Sequence, residues 1–190
     1  MSATDSRTAR PRTVHPTVHR TDPVLPRTGG PAVRYVWAIT RLSLGFVFFW
    51  AFADKLFGLG HSTASKQAWI HGGHPTLGFL KFSAAGPFKG FYHSIAGAAW
   101  ADWLFMLGLA GIGAALLLGV GMRVAAGAGV VMLVMMWSVV LPPDSNVFMD
   151  DHLIYALVIV GLALVGAGDT LGFGRRWSRT RLARRFPVLR

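Results

Sequence analysis

Six polar residues that could carry chemistry lie at the ends of long apolar stretches. They are Asp54, Lys55, Asp102, Asp150, Asp151 and His152. Carboxylates and an imidazole can accept and release protons, and an ammonium group can hold an anion. A charge at the edge of a membrane-spanning helix is costly, so each of these groups needs a partner or access to the interface. We therefore take these six residues as the candidate site.

Four apolar stretches would position these residues. The chain of 190 residues is 53% hydrophobic, with a mean hydropathy of +0.46, which is too apolar for an ordinary soluble domain. A helix needs about 20 residues to cross a bilayer core of ~30 Å. The sequence predicts spans at about 33–57, 102–122, 124–143 and 152–168. The predicted fold is all-α, a four-helix transmembrane bundle with a long outer connection, 58–101, between the first two helices.

Basic residues at both ends of the chain set the predicted orientation. Seven of the 19 lysines and arginines lie in the first 41 residues, and seven more lie between residues 175 and 190. Such flanks are typical of the cytoplasmic side of a membrane protein and favour anionic lipids as partners, with no nucleic acid. We therefore expect a multi-pass protein of the cell membrane, with both termini cytoplasmic. We expect residues 1–32 to be a disordered basic tail, 33–174 to be the membrane domain and 175–190 to be a second basic tail.

This topology gathers the six polar residues at the outer face. Lys55 is the one cation beside several carboxylates, so the sequence predicts a salt bridge from Lys55 to Asp102 or Asp151. Three interpretations stay open: a polar clasp that fixes the order of the helices, a site for a quinone headgroup or a small anion, or plain solvation of the charges at the interface. Arg41 lies inside the first span, and we expect its side chain to extend towards the cytoplasmic headgroups.

The composition of the spans predicts their packing. Small residues at Gly111, Ala115 and Gly119, and again over 125–129, would let helix backbones approach closely. The methionines within 132–136 fit core packing better than a ligand site. The chain has no cysteine, which excludes disulfides, thiolate catalysis and cysteine-ligated clusters. His71 and His74 lack a third ligand at close spacing, and the sequence contains no haem, flavin or metal motif.

Several stretches, in order, resemble those of the DoxX family of membrane proteins. They are Arg41-Leu42 before an aromatic helix ending in Asp54-Lys55-Leu56-Phe57, Gly86-Pro87-Phe88 in the outer connection, Leu117 to Arg123, Asp151 to Tyr155, and Gly166-Ala167-Gly168-Asp169. The resemblance covers roughly residues 34–174. The group of this family that the chain resembles includes DoxD, the large subunit of thiosulfate:quinone oxidoreductase.

The resemblance implies a four-helix membrane subunit linked to quinone redox chemistry, with a quinone as cofactor and a second redox subunit as partner. In that role His152 and Asp151 would be catalytic as a proton relay. Lys55 would bind the substrate anion, together with Asp54, Asp102 and Arg41. Asp54 departs from the small residue expected before the lysine, and its charge would weaken anion capture. The alternative is a non-catalytic scaffold or accessory subunit of a redox or oxidative-stress complex. A transporter is disfavoured because the chain has no internal repeats.

Overall fold

The computed structural model describes residues 30–144 and 146–189. This part of the chain is helical and contains no β-strand. The predicted disordered tail, 1–32, lies outside the described residues except for its last three, of which two already belong to the first helix. The all-α class predicted from the sequence is therefore confirmed for the part of the chain that is described.

Eight α-helices follow one another along the described chain. They are α1 (Pro31–Phe57), α2 (Leu77–Phe82), α3 (Lys89–Ile95), α4 (Ala99–Leu118), α5 (Met122–Val139), α6 (Asp151–Leu164), α7 (Gly174–Trp177) and α8 (Arg181–Arg185). Helices α1, α4 and α5 are long and apolar enough to cross a membrane. The chain thus has the character of a membrane protein. Helix α4 ends at Leu118 and is capped by Gly119, whose φ of 70° favours a glycine. Helix α5 ends at Val139, shortly before Pro142.

Helix α6 is shorter than the sequence predicts. It has 14 residues and ends at Leu164, so it is about 21 Å long at 1.5 Å per residue. A separate 3₁₀ turn, Ala167–Asp169, completes the stretch that we expected to be one span. Gly166 breaks the helix because it adopts a φ of 65°.

The four longest helices share one apolar core. Helix α1 packs along α4, α4 along α5, α5 along α6, and α6 also contacts α1. Phe48, Met106, Leu116, Ile159 and Leu162 are among the buried side chains between them. Burial of large apolar side chains on four elements explains why their order is fixed.

Glycines allow the closest helix contact, between α1 and α4. A Cβ atom on Gly113 would lie 2.7 Å from the backbone nitrogen of Phe49, and one on Gly45 would lie 2.9 Å from Cβ of Leu116. Gly129 likewise admits Ile159 of α6. The predicted small-residue contact at Gly111 is wrong, because a Cβ there meets no atom within 4 Å.

The outer connection forms a folded cap, by which we mean residues 58–98. Besides α2 and α3 it contains three 3₁₀ turns: Ser65–Gln67, Trp69–His71 and Gly86–Phe88. A small core of its own joins Leu80, Ala84 and Tyr92 to Val139 of α5. The cap is also tied to α5 by the amide of Ala85, which donates to the carbonyl of Val139 over 3.0 Å.

Candidate functional site

Arg41 lies apart from the other predicted site residues. Its side chain is fully buried, and its guanidinium donates to five backbone carbonyls at the ends of α4 and α6. These are the carbonyls of Leu116, Leu117, Ala167, Thr170 and Leu171. A guanidinium has five N–H groups, so every donor has an acceptor. We call this end of the helices, with Arg34, Arg41 and Arg175, the basic end.

The expectation that Arg41 extends towards the headgroups is therefore wrong. These carbonyls lie in the last turn of α4, where that of Leu116 also accepts from the Gly119 amide, and in the segment that follows α6, where regular helical bonding has ended. Binding them compensates the charge inside the protein and removes the need to reach water. The contacts assign Arg41 to helix packing.

Asp54 lies at the opposite end of α1 and is almost fully buried. Its carboxylate accepts hydrogen bonds from the amides of His61 and Ser62, over 3.2 and 2.9 Å, and from the Ser62 hydroxyl over 2.7 Å. The carboxylate therefore holds the first turn of the cap against the end of α1. We call this end, with Asp54, Lys55, Asp102, Asp150 and His152, the acidic end.

Asp102 fixes the middle of the cap in the same way. Its side chain is 2% exposed and accepts from the amide and the hydroxyl of Thr76, over 2.9 and 2.6 Å. Nδ1 of His74 lies 2.9 Å from its other oxygen. The Thr76 hydroxyl also accepts from the Gly97 amide over 3.3 Å, which joins the two ends of this part of the cap. Asp102 and His74 form a carboxylate–imidazole pair.

Lys55 has no ion pair or hydrogen bond among the described residues. The predicted salt bridge from Lys55 to Asp102 or Asp151 is therefore wrong. Asp102 is already occupied by Thr76 and His74, and Asp151 approaches His152 instead. The ammonium group is half-buried at the acidic end without a partner in this part of the chain.

His152 and Asp150 form a second carboxylate–imidazole pair at the start of α6. Nδ1 of His152 lies 2.6 Å from the Asp150 carboxylate and 3.4 Å from that of Asp151. Asp150 also caps the helix, since it accepts from the amide of Leu153 over 3.2 Å. Asp151 is largely exposed. The predicted pair, His152 and Asp151, is thus brought together, with Asp150 as the closer partner.

The same three residues are the described group best placed to hold a cation. One ligand atom from each of Asp150, Asp151 and His152 lies within 4.8 Å of the others. Asp150 is engaged with both the helix end and the imidazole. His71 and His74 are not available as a pair, because His71 contacts the carbonyl of Ser65 and His74 contacts Asp102.

An apolar cavity of about 410 Å³ lies between α4 and α5 beneath the cap. We call it the α4–α5 groove. It runs along α4 from Trp100 to Ile112 and along α5 from Gly127 to Val139, and residues of α2 and α3 form its upper wall. Leu104 and Val131 are more than 60% exposed, so the groove is open along the faces of two candidate spans. Met132, Met135 and Met136 line this groove; Met132 packs against the core as predicted, whereas Met135 is 45% exposed.

The polar groups of the groove lie at its capped end. Thr76 and Tyr92 are the hydroxyl-bearing residues of its lining. Thr76 is bonded to Asp102, and the Tyr92 hydroxyl lies 2.5 Å from that of Ser138. Phe79 also lines the groove, and the centre of its ring is 6.3 Å from that of His152. Thr76 therefore lies between the groove and the Asp102–His74 pair, and Phe79 lies between the groove and the Asp150–His152 pair.

Sequence reasoning missed the parts of this site that lie in the cap. His74 is 28 residues from Asp102, and nothing in its local sequence distinguishes it from His71. The groove was missed because its lining has the same apolar composition as a packed core. The signal that was present is the pair of small residues Gly127 and Ala128 before the bulky residues of α5, since both line the groove. Comparisons with family models, with curated proteins and with solved structures return no match for this chain.

Proposed function

We propose that this chain is a membrane subunit that binds a quinone in the α4–α5 groove. The observation that carries the proposal is an apolar groove along two candidate spans whose polar end lies beside two carboxylate–imidazole pairs. Its volume falls within the ~300–1,000 Å³ range of small-molecule sites. A quinone has the matching form, since an apolar tail can lie along α4 and α5 while a polar ring meets the hydroxyls of Thr76 and Tyr92.

The proposal includes the four-helix arrangement across the bilayer with both termini cytoplasmic. In that orientation the acidic end and the cap lie at the outer face. Lipid-soluble molecules could then enter sideways between α4 and α5, where Leu104 and Val131 are exposed. Both ends of the chain are arginine-rich, which supports the orientation.

Residues of this chain would transfer the protons that a bound quinone takes up. A quinone bound there supplies the redox chemistry, because it takes up two electrons and two protons on becoming a quinol. His152 can pass a proton while Asp150 stabilises its charged form, and His74 can do the same beside Asp102. The Thr76 hydroxyl donates to Asp102 and the Tyr92 hydroxyl contacts that of Ser138, so these two residues would orient the ring by forming the polar end wall of the groove. Electrons would come from a donor held by a second subunit.

Thiosulfate is the donor that the DoxX resemblance implies. Two thiosulfate ions give up two electrons when they join through a new S–S bond to form tetrathionate. Lys55 has no partner in the described chain, so it is free to attract such an anion at the outer face. Asp54 lies next to it, but its carboxylate is occupied by amides of the cap.

The alternative function is a scaffold without catalysis. The observation in its favour is that Asp54 and Asp102 are both fully engaged in holding the cap. Under this hypothesis the cap is a docking surface for another subunit, and the groove is filled by lipid.

Quinone binding tests the proposal most simply. The purified protein in lipid nanodiscs is titrated with a ubiquinone carrying a ten-carbon tail, and quenching of tryptophan fluorescence is followed. Gly127→Leu should fill the groove without a clash, because a Cβ there meets no atom within 4 Å and Gly127 lines the groove. We expect it to weaken binding about tenfold or more, since a ligand must give up most of its contacts.

Gly111→Leu is the matched control. Gly111 also lies in a candidate span, is exposed and leaves open space for a side chain, but it does not line the groove. Its quinone affinity should equal that of the wild type. Equal affinity of all three proteins would refute the groove as the site.

Turnover separates the catalytic function from the scaffold. Thiosulfate-dependent quinone reduction is measured in membranes that contain the wild type, His152→Ala or no protein. Loss of turnover in the variant, at equal protein level and equal quinone affinity, supports a proton relay. Absence of turnover in every sample supports the scaffold.

A further inference from the structure

A second and smaller cavity lies at the basic end, far from the groove. It has a volume of about 100 Å³ and lies between the start of α1 and the segment that follows α6. Arg34 and Trp37 line it from α1, and Arg175 lines it from α7. Asp169 and Thr170 complete its polar wall. The site thus brings together two guanidinium groups that are 141 positions apart in the sequence.

These two arginines differ from their buried neighbour Arg41. Neither Arg34 nor Arg175 has a side-chain hydrogen bond or an ion pair among the described residues, although Asp169 lines the same cavity. Two cations beside one unpaired carboxylate leave a net positive charge. An anion with one negative charge would balance it.

We propose that this cavity binds the phosphate of an anionic phospholipid. A guanidinium presents paired N–H donors whose geometry matches phosphate oxygens. Trp37 can place its ring at the level of the headgroups. A lipid phosphodiester carries one charge, so it would be repelled by Asp169 less than a doubly charged free phosphate. This inference does not depend on quinone binding.

The surface around the cavity favours a lipid over a soluble anion. The chain has no carboxylate side chain after Asp169, and arginines at 175, 176, 179, 181, 184 and 185 follow the lining residues 165–170 in the sequence. Leu182 and Phe186 of the same segment are about half exposed. Basic and apolar side chains on one short segment are typical of protein that lies at the surface of an anionic membrane.

Lipid retention by the full chain tests this site. The purified protein is exchanged into nanodiscs of phosphatidylcholine that contain a small fraction of phosphatidylglycerol, and the bound lipid is measured by native mass spectrometry after release. The variant Arg34→Gln/Arg175→Gln should lose about tenfold or more of the phosphatidylglycerol preference, because two charge-assisted hydrogen-bonding groups are removed.

The control is Arg181→Gln/Arg184→Gln, which removes the same charge from exposed positions of the same segment. We expect a loss of about fivefold or less, since these residues contribute only long-range attraction. If the first variant does not fold, Arg34→Lys/Arg175→Lys keeps the charge and should still reduce the preference.

Three results would overturn the proposal. Equal losses in the two glutamine variants would mean diffuse attraction without a site. No preference for phosphatidylglycerol in the wild type would exclude an anionic-lipid site. Displacement of the lipid by millimolar inorganic phosphate would assign the cavity to a soluble phosphate ligand instead.

Discussion

Charged side chains have different surroundings at the two ends of the helices. At the basic end, the guanidinium of Arg41 is buried and every donor meets a backbone carbonyl. At the acidic end, Asp54 and Asp102 are buried and hold the cap, while Lys55 has no partner in the described chain and His152 pairs only with carboxylates. The contacts of Arg41 leave none of its own donors free for a ligand, whereas the acidic end has a cation without an ion pair and two imidazoles near a groove.

A charge inside an apolar stretch is therefore not by itself evidence of a functional site. Arg41 and Lys55 give similar signals in the sequence, because each interrupts the same predicted span. Their environments differ because Arg41 faces backbone carbonyls at the end of α4 and in the segment that follows α6. Lys55 lies at the end of its own helix, where the cap uses the neighbouring carboxylate.

Removal of Arg41 should have the largest effect on stability. Arg41→Met leaves five carbonyls without their donor, and we expect a loss of about 3–5 kcal/mol in the free energy of unfolding. Thermal unfolding in detergent, followed by circular dichroism, measures the change. Arg34→Met is the control, because that side chain is exposed and unbonded in the described chain. It should stay within about 0.5 kcal/mol of the wild type. Similar losses in both variants would contradict the packing role of Arg41.

Removal of either buried carboxylate should have an intermediate and local effect. Asp102→Asn keeps one oxygen for both donors of Thr76 but removes the charge and places an NH2 group where the other oxygen meets His74, and we expect a cost of about 1–3 kcal/mol. Hydrogen exchange should rise at residues 74–76 in this variant and at residues 61–62 in Asp54→Asn. Asp151→Asn changes an exposed carboxylate and should alter neither region. Uniform exchange across the cap in both buried variants would mean that it unfolds as one unit.

Removal of Lys55 should have the smallest effect on stability. The sequence alone predicts that Lys55→Ala is more damaging than Lys66→Ala, because only Lys55 lies at a helix end among carboxylates; in the described chain Lys55 forms no ion pair with them. We now expect Lys55→Gln and Lys66→Gln to unfold within about 0.5 kcal/mol of the wild type. Thermal unfolding checks both. A loss above about 1 kcal/mol in Lys55→Gln alone would mean that the lysine has a structural partner after all.

The sequence alone was sufficient to predict helix ends that depend on neighbouring residues. The ends of α4 and α5 lie within about four residues of the predicted limits, because glycines and prolines terminate helices through their own backbone geometry. The sequence was insufficient to predict contacts between residues that are far apart along the chain. The pairing of Asp102 with His74, and of Arg41 with carbonyls more than 70 residues away, depends on how the cap and the helix ends come together.

The most direct test of quinone binding in the groove is the position of a covalent label. A quinone with a photoreactive tail is irradiated with the protein in nanodiscs, and the labelled peptides are identified by mass spectrometry. If the quinone binds in the groove, we expect labels on residues 100–112 of α4 and 127–139 of α5. These labels should be lost in Gly127→Leu and kept in Gly111→Leu. Labels spread evenly over all lipid-facing helices, or unchanged in Gly127→Leu, would contradict it.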